Sequence, residues 1–170
     1  MTEQWRWIPG YEGVYTVSDL GRVRSEARML TDALGRRTFR PALILKPQRH
    51  SDTEYLHVTL NLGGVRKTAL VHQLVLAAFV GPCPDGQEVL HSDDCGENNK
   101  LTNLRYGTRS ENNLDKVRNG NDHNATKTHC PQRHRYTPEN TYHYGNRRQC
   151  KACTMARAAA RRQARKECAA

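Results

Sequence analysis

An α+β fold in three segments is predicted by three features of the sequence. These are paired alternating runs bounded by turn residues before residue 70, a β-β-α pattern within residues 71–120, and close Cys/His pairs leading into basic helix formers within residues 121–170. The expected organisation is therefore a β-rich segment over 1–70, a β-β-α core over 71–120, and a Cys/His segment with a basic helix over 121–170.

In the first segment, Val14 to Val17 and Val23 to Arg24 flank Ser18-Asp19-Leu20-Gly21, a turn-forming cluster, and predict a short hairpin. Tyr55-Leu56-His57-Val58-Thr59-Leu60-Asn61-Leu62 alternates apolar and polar residues, and Gly63-Gly64 separates it from Val65 to Leu70, which predicts a second hairpin. Residues 26–50 hold Arg28, Arg36, Arg37, Arg40, Lys46 and Arg49 with two prolines, and read as a basic loop with one short strand near Ala42 to Leu45.

The second segment opens with Leu74, Val75, Ala77, Ala78 and Phe79 at helical spacing, stopped by Gly81-Pro82. Pro84-Asp85-Gly86 turns the chain into a strand over Glu88 to His91. A loop over Asn98 to Asn103 leads to a second strand over Leu104 to Tyr106. Thr108 or Ser110 then caps a helix running from Glu111 towards Val117, which Asn119-Gly120-Asn121 ends. His72 lies beside the apolar helical face and reads as a packing or contact residue rather than a ligand.

Length and composition bound what such a chain can be. Its 170 residues are only 36% hydrophobic with a mean hydropathy of -0.85, so any core is modest. The net charge of +10 favours a polyanionic partner, and its position is informative: residues 1–115 hold 14 Lys and Arg against 14 Asp and Glu, whereas residues 116–170 hold 13 against 3. No run approaches the roughly 20 apolar residues of a membrane span, and the amino end lacks a signal-peptide pattern, so a cytoplasmic protein without membrane attachment is expected.

In a reducing compartment, closely spaced Cys and His favour metal over disulfides. Cys130-Pro131-Gln132-Arg133-His134 and Cys150-Lys151-Ala152-Cys153 supply four ligands in two close pairs, the set a tetrahedral structural Zn²⁺ requires, with His129 as an alternative to His134. A zinc-ribbon-like segment is therefore expected. It has too few apolar residues to fold unaided, so metal binding would provide the missing stability. Beyond it, Thr154 to Lys166 is made of strong helix formers, and Arg157, Arg161, Arg162, Arg165 and Lys166 place positive charge on several faces, suited to phosphate contact.

The remaining pattern is a ladder of His91, Asn103 twelve residues on and Asn112 nine residues after that. A neutral imidazole at a strand end can deprotonate a water beside a phosphate. An Asn has both a donor and an acceptor with which to tie a loop to itself, and a second Asn on a helix offers a neutral oxygen to a hard cation such as Mg²⁺.

This ladder, with Val71-His72-Gln73-Leu74-Val75, Ala77-Ala78-Phe79, Asn103-Leu104-Arg105-Tyr106-Gly107-Thr108 and Glu111-Asn112, resembles the phage HNH homing-endonuclease family. Trp7-Ile8-Pro9-Gly10-Tyr11-Glu12-Gly13-Val14-Tyr15, continuing to Ser25, resembles the NUMOD4-like module that often precedes that core. The resemblance implies a metal-dependent endonuclease acting on double-stranded DNA in the host cell of a phage, as a monomer or weak dimer. His91 would be the general base, Asn103 the loop tie, and Asn112 a ligand of Mg²⁺ or Mn²⁺. Arg105 and Arg109 are close enough in sequence to reach flanking phosphates.

The chain departs from the family at one position. In many relatives the residue before the base histidine is a metal-binding Asp or Asn, and here it is Leu90. Either Asp93 or Asp94 supplies the missing oxygen, or Asn112, water and DNA phosphates hold the cation alone, or the protein is a weak or inactive nuclease that binds DNA on the same scaffold. An RNA-binding zinc-ribbon protein is the remaining rival.

Overall fold

Alternation and turn chemistry generate most of the strands in the computed structural model, which describes residues 2–31, 33–49, 51, 53–145 and 147–168. Strands β1 (Trp5–Trp7), β2 (Tyr15–Ser18), β3 (Val23–Ser25), β4 (Arg28–Thr31), β5 (Arg37–Arg40), β6 (Leu43–Ile44), β7 (Gln48–Arg49), β8 (Leu56–Leu62) and β9 (Val65–Leu70) precede helix α1 (Val71–Phe79). There follow β10 (Glu88–His91), a 3₁₀ turn over Leu101–Asn103, β11 (Leu104–Gly107), α2 (Arg109–Arg118), α3 (His123–Thr126), β12 (Thr141–Tyr144), β13 (Arg147–Cys150) and α4 (Lys151–Cys168). The α+β class expected from the sequence is the observed one.

Both hairpins of the first segment form where the turn residues put them: β2 pairs with β3 around residues 19–22, and β8 with β9 around Gly63-Gly64, with Leu62 opposite Val65. The sheet orders are β1-β2-β3-β6 and β7-β8-β9. The stretch expected to be a basic loop with one strand contains that strand, β6, but also β7 and an additional hairpin, β4 with β5. That hairpin is exposed along nearly all its length, so no apolar alternation marks it in the sequence.

Residues 1–121 form one compact unit and 122–170 a second. A segment boundary near residue 70 therefore does not divide the fold, because one core crosses it. Ile8, Tyr15, Val17 and Val23 from the first sheet and Val58 and Leu60 from β8 pack with Val71, Leu74, Val75 and Leu76 of α1 and with Leu104 of β11. At roughly 1.5–3 kcal/mol for each large apolar side chain fully buried, this shared cluster is the main stabilising element of the unit. It also fixes α1 against β10, which carries His91, and against β11, which follows Asn103.

In the second unit, a turn around Cys130 is followed by the β12-β13 hairpin and by α4, the helix expected from Thr154 to Lys166, which begins earlier, at Lys151. Among its described residues only Cys130 and Cys150 are buried. Among the described residues, this unit has no hydrophobic core of its own to account for its folding.

Candidate active site and metal centre

His91 is the last residue of β10 and stands opposite Leu104 of β11. Its ring is buried, with Nε2 3.4 Å from Asn99 Oδ1. The Asn99 amide is oriented by its own Nδ2, which donates to the Glu97 carbonyl at 3.2 Å. Asn99 thus presents an acceptor to His91, so Nε2 carries the proton and Nδ1 keeps the lone pair needed by a base. Burial holds the His91 pKa below the ordinary histidine value and outweighs the raising effects of the Asn99 hydrogen bond and of the Asp93 and Asp94 charges. The ring is neutral at neutral pH.

Asn103 ties the intervening loop. Its backbone carbonyl accepts from Ser92 N–H at 2.9 Å, its Nδ2 donates to Asp93 Oδ1 at 2.8 Å and to the Asn98 carbonyl at 2.9 Å, and its Oδ1 accepts from Asp93 N–H at 3.2 Å. These bonds close the loop directly behind the strand end that bears His91.

Helix α2 starts at a capping box. Thr108 Oγ1 accepts from Glu111 N–H and Glu111 Oε2 accepts from Thr108 N–H, an arrangement contributing on the order of 1 kcal/mol. The cap sets the helix phase, which puts Asn112 and Lys116, four residues apart, on one face. Both line a cavity of about 230 Å³ shared with Tyr55, His91 and Asp94. Asn112 Nδ2 donates to Glu88 Oε1 at 3.1 Å, which leaves its Oδ1 as a donor for a cation.

Leu90 is 1% exposed and offers no oxygen. Of the two carboxylates expected to stand in for it, Asp93 is committed to the loop: Oδ1 accepts from Cys95 N–H and Asn103, and Oδ2 from Asn98 Nδ2 at 2.7 Å. Burial pushes its carboxyl up, but these hydrogen bonds together outweigh it and hold the group below the usual carboxylate value. Asp94 lines the cavity, with Oδ2 accepting from Asn119 and Asn121 at 3.0 Å each. The Arg105 guanidinium is ion-paired with buried Asp115, which Arg118 also meets at 3.0 Å. Arg109 is exposed at the first position of α2.

Comparison with known proteins matches this arrangement. Residues 3–61 match the NUMOD4 motif and residues 69–114 match HNH endonuclease. DNA endonuclease I-HmuI of Bacillus phage SP01 is 36% identical over 109 residues, covering 64% of this chain and 55% of that protein. Residues 69–114 are thus similar to HNH endonucleases, and the chain is a homologue of I-HmuI over the matched part. A solved structure described as DNA binding and cleavage by the HNH homing endonuclease I-HmuI superposes with a TM-score of 0.54 at 35% identity, over 69% of this chain and 60% of the other. The chain thus spans between half and two thirds of the length of these relatives. Metal dependence is general in the family. No helix among the described residues is long and apolar enough to cross a membrane.

The HNH core has contributors that sequence spacing does not reveal: Asn99 on the base, Glu88 on Asn112, and Lys116 and Tyr55 in the cavity. For Lys116, its position one turn after Asn112 is the available signal. Tyr55 and Asn99 carry none, because their roles depend on tertiary contacts.

His72 packs as the sequence suggests, buried against the HNH core with its ring 5.1 Å from that of His91. Burial, then the His91 charge, lowers its pKa from 6.5 to about 4. The unfolded chain therefore binds this proton at higher pH than the folded one, so the stability tied to neutral His72 is complete above pH 6.5 and is lost as pH falls towards 4. The loss should be on the order of 3 kcal/mol between pH 7 and pH 4. Urea unfolding followed by the fluorescence of Trp5 and Trp7, both in the first unit, measures it, and a His72→Phe variant should show a flatter acid limb.

In the second unit, Cys130, His134, Cys150 and Cys153 bring their ligand atoms within 4.8 Å of one another. Cys130 Sγ is 3.6 Å from Cys153 Sγ and 3.5 Å from His134 Nδ1, and His134 Nδ1 is 3.3 Å from Cys153 Sγ. A regular tetrahedron with Zn–S near 2.3 Å has sulfur–sulfur edges of about 3.8 Å, so these separations fit one ion. The backbone explains the convergence. Cys130 N–H donates to the His134 carbonyl at 2.9 Å and Arg133 takes a φ of 63°, folding the first pair into a knuckle, while the β13-α4 junction presents the second. His129 instead has its Nδ1 2.9 Å from Thr128 Oγ1 and lies outside the cluster. The Cys153 backbone N–H is the largest influence lowering the Cys150 thiol to about 7, whereas burial and the adjacent thiols push Cys153 up to about 11. Clustered thiols cannot all ionise without a cation among them.

Proposed function

We propose that the chain is a metal-dependent DNA endonuclease that hydrolyses phosphodiester bonds in double-stranded DNA, acting in the cytoplasm of a phage host. The observation that carries this reading is one cavity shared by His91, with a free Nδ1 lone pair, and Asn112, with a free Oδ1. The match of residues 69–114 to HNH endonuclease supports it, and I-HmuI is itself described as binding and cleaving DNA.

His91 Nδ1 accepts a proton from water, which attacks phosphorus in line with the departing 3′ oxygen. Asn99 keeps the imidazole in the required tautomer, and Asn103 holds the loop behind it. Asn112 and Asp94 supply hard oxygens suited to Mg²⁺ or Mn²⁺, and Lys116 adds a positive charge on the same wall. A divalent cation held there supplies charge stabilisation at the phosphate and leaving oxygen. Loss of the Leu90 position as a ligand leaves a thinner donor set, so a high metal requirement is expected. Asn112→Ala should reduce cleavage and raise the Mg²⁺ or Mn²⁺ concentration giving half-maximal rate, with activity partly restored by excess metal; metal titration of single-turnover rates checks this.

The second unit we assign to a structural Zn²⁺ held by Cys130, His134, Cys150 and Cys153, presenting a basic helix to phosphates. Arg157, Arg161, Arg162, Arg165 and Lys166 are all exposed on α4. Incubation with supercoiled plasmid, with and without Mg²⁺, tests the whole reading. Metal-dependent nicked or linear product supports it, nicking being expected of a lone core. Duplex binding without product would make the chain an inactive DNA-binding protein, and preference for RNA in competition would remove the DNA assignment.

A further inference from the structure

The base is enclosed by rings that neither the His/Asn/Asn ladder nor the family matches assign a role. Tyr55 stacks on His91 with ring centroids 5.6 Å apart and planes 15° from parallel. His72 meets both edge-on, at 4.7 Å from Tyr55 and 5.1 Å from His91. These separations lie in the range of favourable aromatic contact. The rings come from three places: the residue before β8, the first turn of α1 and the end of β10.

Two close approaches hold this arrangement. A Cβ on Gly96, in the loop after His91, would fall 2.9 Å from the Tyr55 ring and 3.1 Å from Glu54 Cβ, so the 54–55 backbone and the nuclease loop touch without room for any side chain between them. Gly21, at a φ of +80°, brings the β2-β3 turn so near Asn99 that a Cβ there would stand 2.7 Å from the Asn99 Cβ, and Leu101 N–H donates to the Asp19 carbonyl at 2.8 Å. Asn99 is the residue whose oxygen faces His91 Nε2. The amino-terminal segment therefore reaches the base directly, by ring contact through Tyr55, and indirectly, by the close approach of Gly21 to Asn99.

His72 has a buried Nδ1 with no hydrogen-bond partner. Its ring contacts, rather than a hydrogen bond at that nitrogen, therefore tie it to Tyr55 and His91.

We propose that Tyr55 and His72 are positioning residues for His91, fixing the imidazole plane by ring contact, so that the NUMOD4 segment completes the nuclease site in addition to preceding it. The inference rests on the endonuclease reading for its kinetic consequence and on the ring geometry alone for its structural one. A base must hold its lone pair towards the attacking water throughout reaction, and small misplacements are costly.

The test compares Tyr55→Ala, Tyr55→Phe, His72→Ala and His72→Phe in the full chain. Three quantities are measured: melting temperature, single-turnover cleavage at saturating and sub-saturating duplex, and His91 ring resonances by NMR. The alanine variants should lose about 10- to 100-fold in rate at saturating DNA with little change in the half-saturating concentration, and should move the His91 ring signals. The phenylalanine variants should retain most of the rate, because the ring faces remain. Should an alanine variant fail to fold, leucine at the same position keeps the bulk without a ring face. Unmoved His91 signals in the alanine or leucine variants would overturn the proposal. A change confined to the half-saturating concentration would overturn it too, making these residues DNA contacts, as would failure of His72→Phe to restore rate in a folded protein, which would make the imidazole chemistry essential. If the unsubstituted chain cuts no duplex, the endonuclease reading fails separately and the ring signals alone decide the positioning.

Discussion

His91→Ala should lower single-turnover cleavage by about 10²- to 10⁴-fold, the usual contribution of a positioned general base. Duplex affinity should change by less than about twofold, because affinity arises mainly from phosphate contacts carried by other residues. The fold should tolerate the change. His91 sits at the strand end beneath Tyr55 and His72, and the apolar cluster that stabilises the unit does not include it. Gel-shift titration with plasmid cleavage under the same conditions separates binding from chemistry. Retained cleavage would remove His91 from the mechanism, and loss of binding with cleavage would show that the substitution damaged the DNA surface rather than the base. The wild-type rate should also fall on acidification, with an apparent pKa below that of an ordinary histidine, because burial disfavours the protonated ring.

What is legible in the sequence at this site follows local rules. Glu88 to His91 is legible as a strand from the Pro84-Asp85-Gly86 turn before it, and α2 from Thr108 followed three residues later by Glu111, since capping and turns act over a few residues. Asn103 is legible as a loop tie because its amide has the donor and acceptor that loop closure requires, and the contacts realise both. The β4-β5 hairpin is not legible, since both faces are exposed and carry no apolar period. Nor is the availability of individual charges. Arg105 reads as a cation within reach of phosphates, yet β11 places it against Asp115 of α2, and Asp93 reads as a free carboxylate, yet the loop takes both its oxygens. Which polar groups remain free depends on tertiary neighbours. The same is true of Tyr55 and Asn99, brought to His91 by a core that spans the segment boundary the sequence suggests.

Removal of one metal ion should unfold the whole second unit while leaving the first intact. The purified protein should contain about one zinc per chain, and a strong chelator should abolish the helical signal of α4 without changing the fluorescence of Trp5 and Trp7. The reason is the absence of any alternative source of stability: among the described residues after 121, only Cys130 and Cys150 are buried, and both belong to the ligand cluster. The 18-residue helix α4 buries none of its residues, so it lacks the tertiary packing that supplies most helical stability in proteins. Metal binding worth on the order of 10–16 kcal/mol at pH 7 exceeds any apolar contribution available here. Cys150→Ser should therefore behave like chelation, and Cys83→Ser, at an exposed thiol outside the cluster, should not. The consequence for function is a change in electrostatics rather than in chemistry. Deleting residues 122–170 removes 11 Lys and Arg against 3 Asp and Glu, so duplex binding should weaken and the slope of log affinity on log salt should become shallower by about 0.9 for each phosphate no longer neutralised. Cleavage should persist at low salt and high protein concentration, since His91, Asn103 and Asn112 all remain. An unchanged salt slope, or purified protein free of zinc with α4 still helical, would show that this unit neither depends on the metal nor carries the DNA-binding role assigned to it.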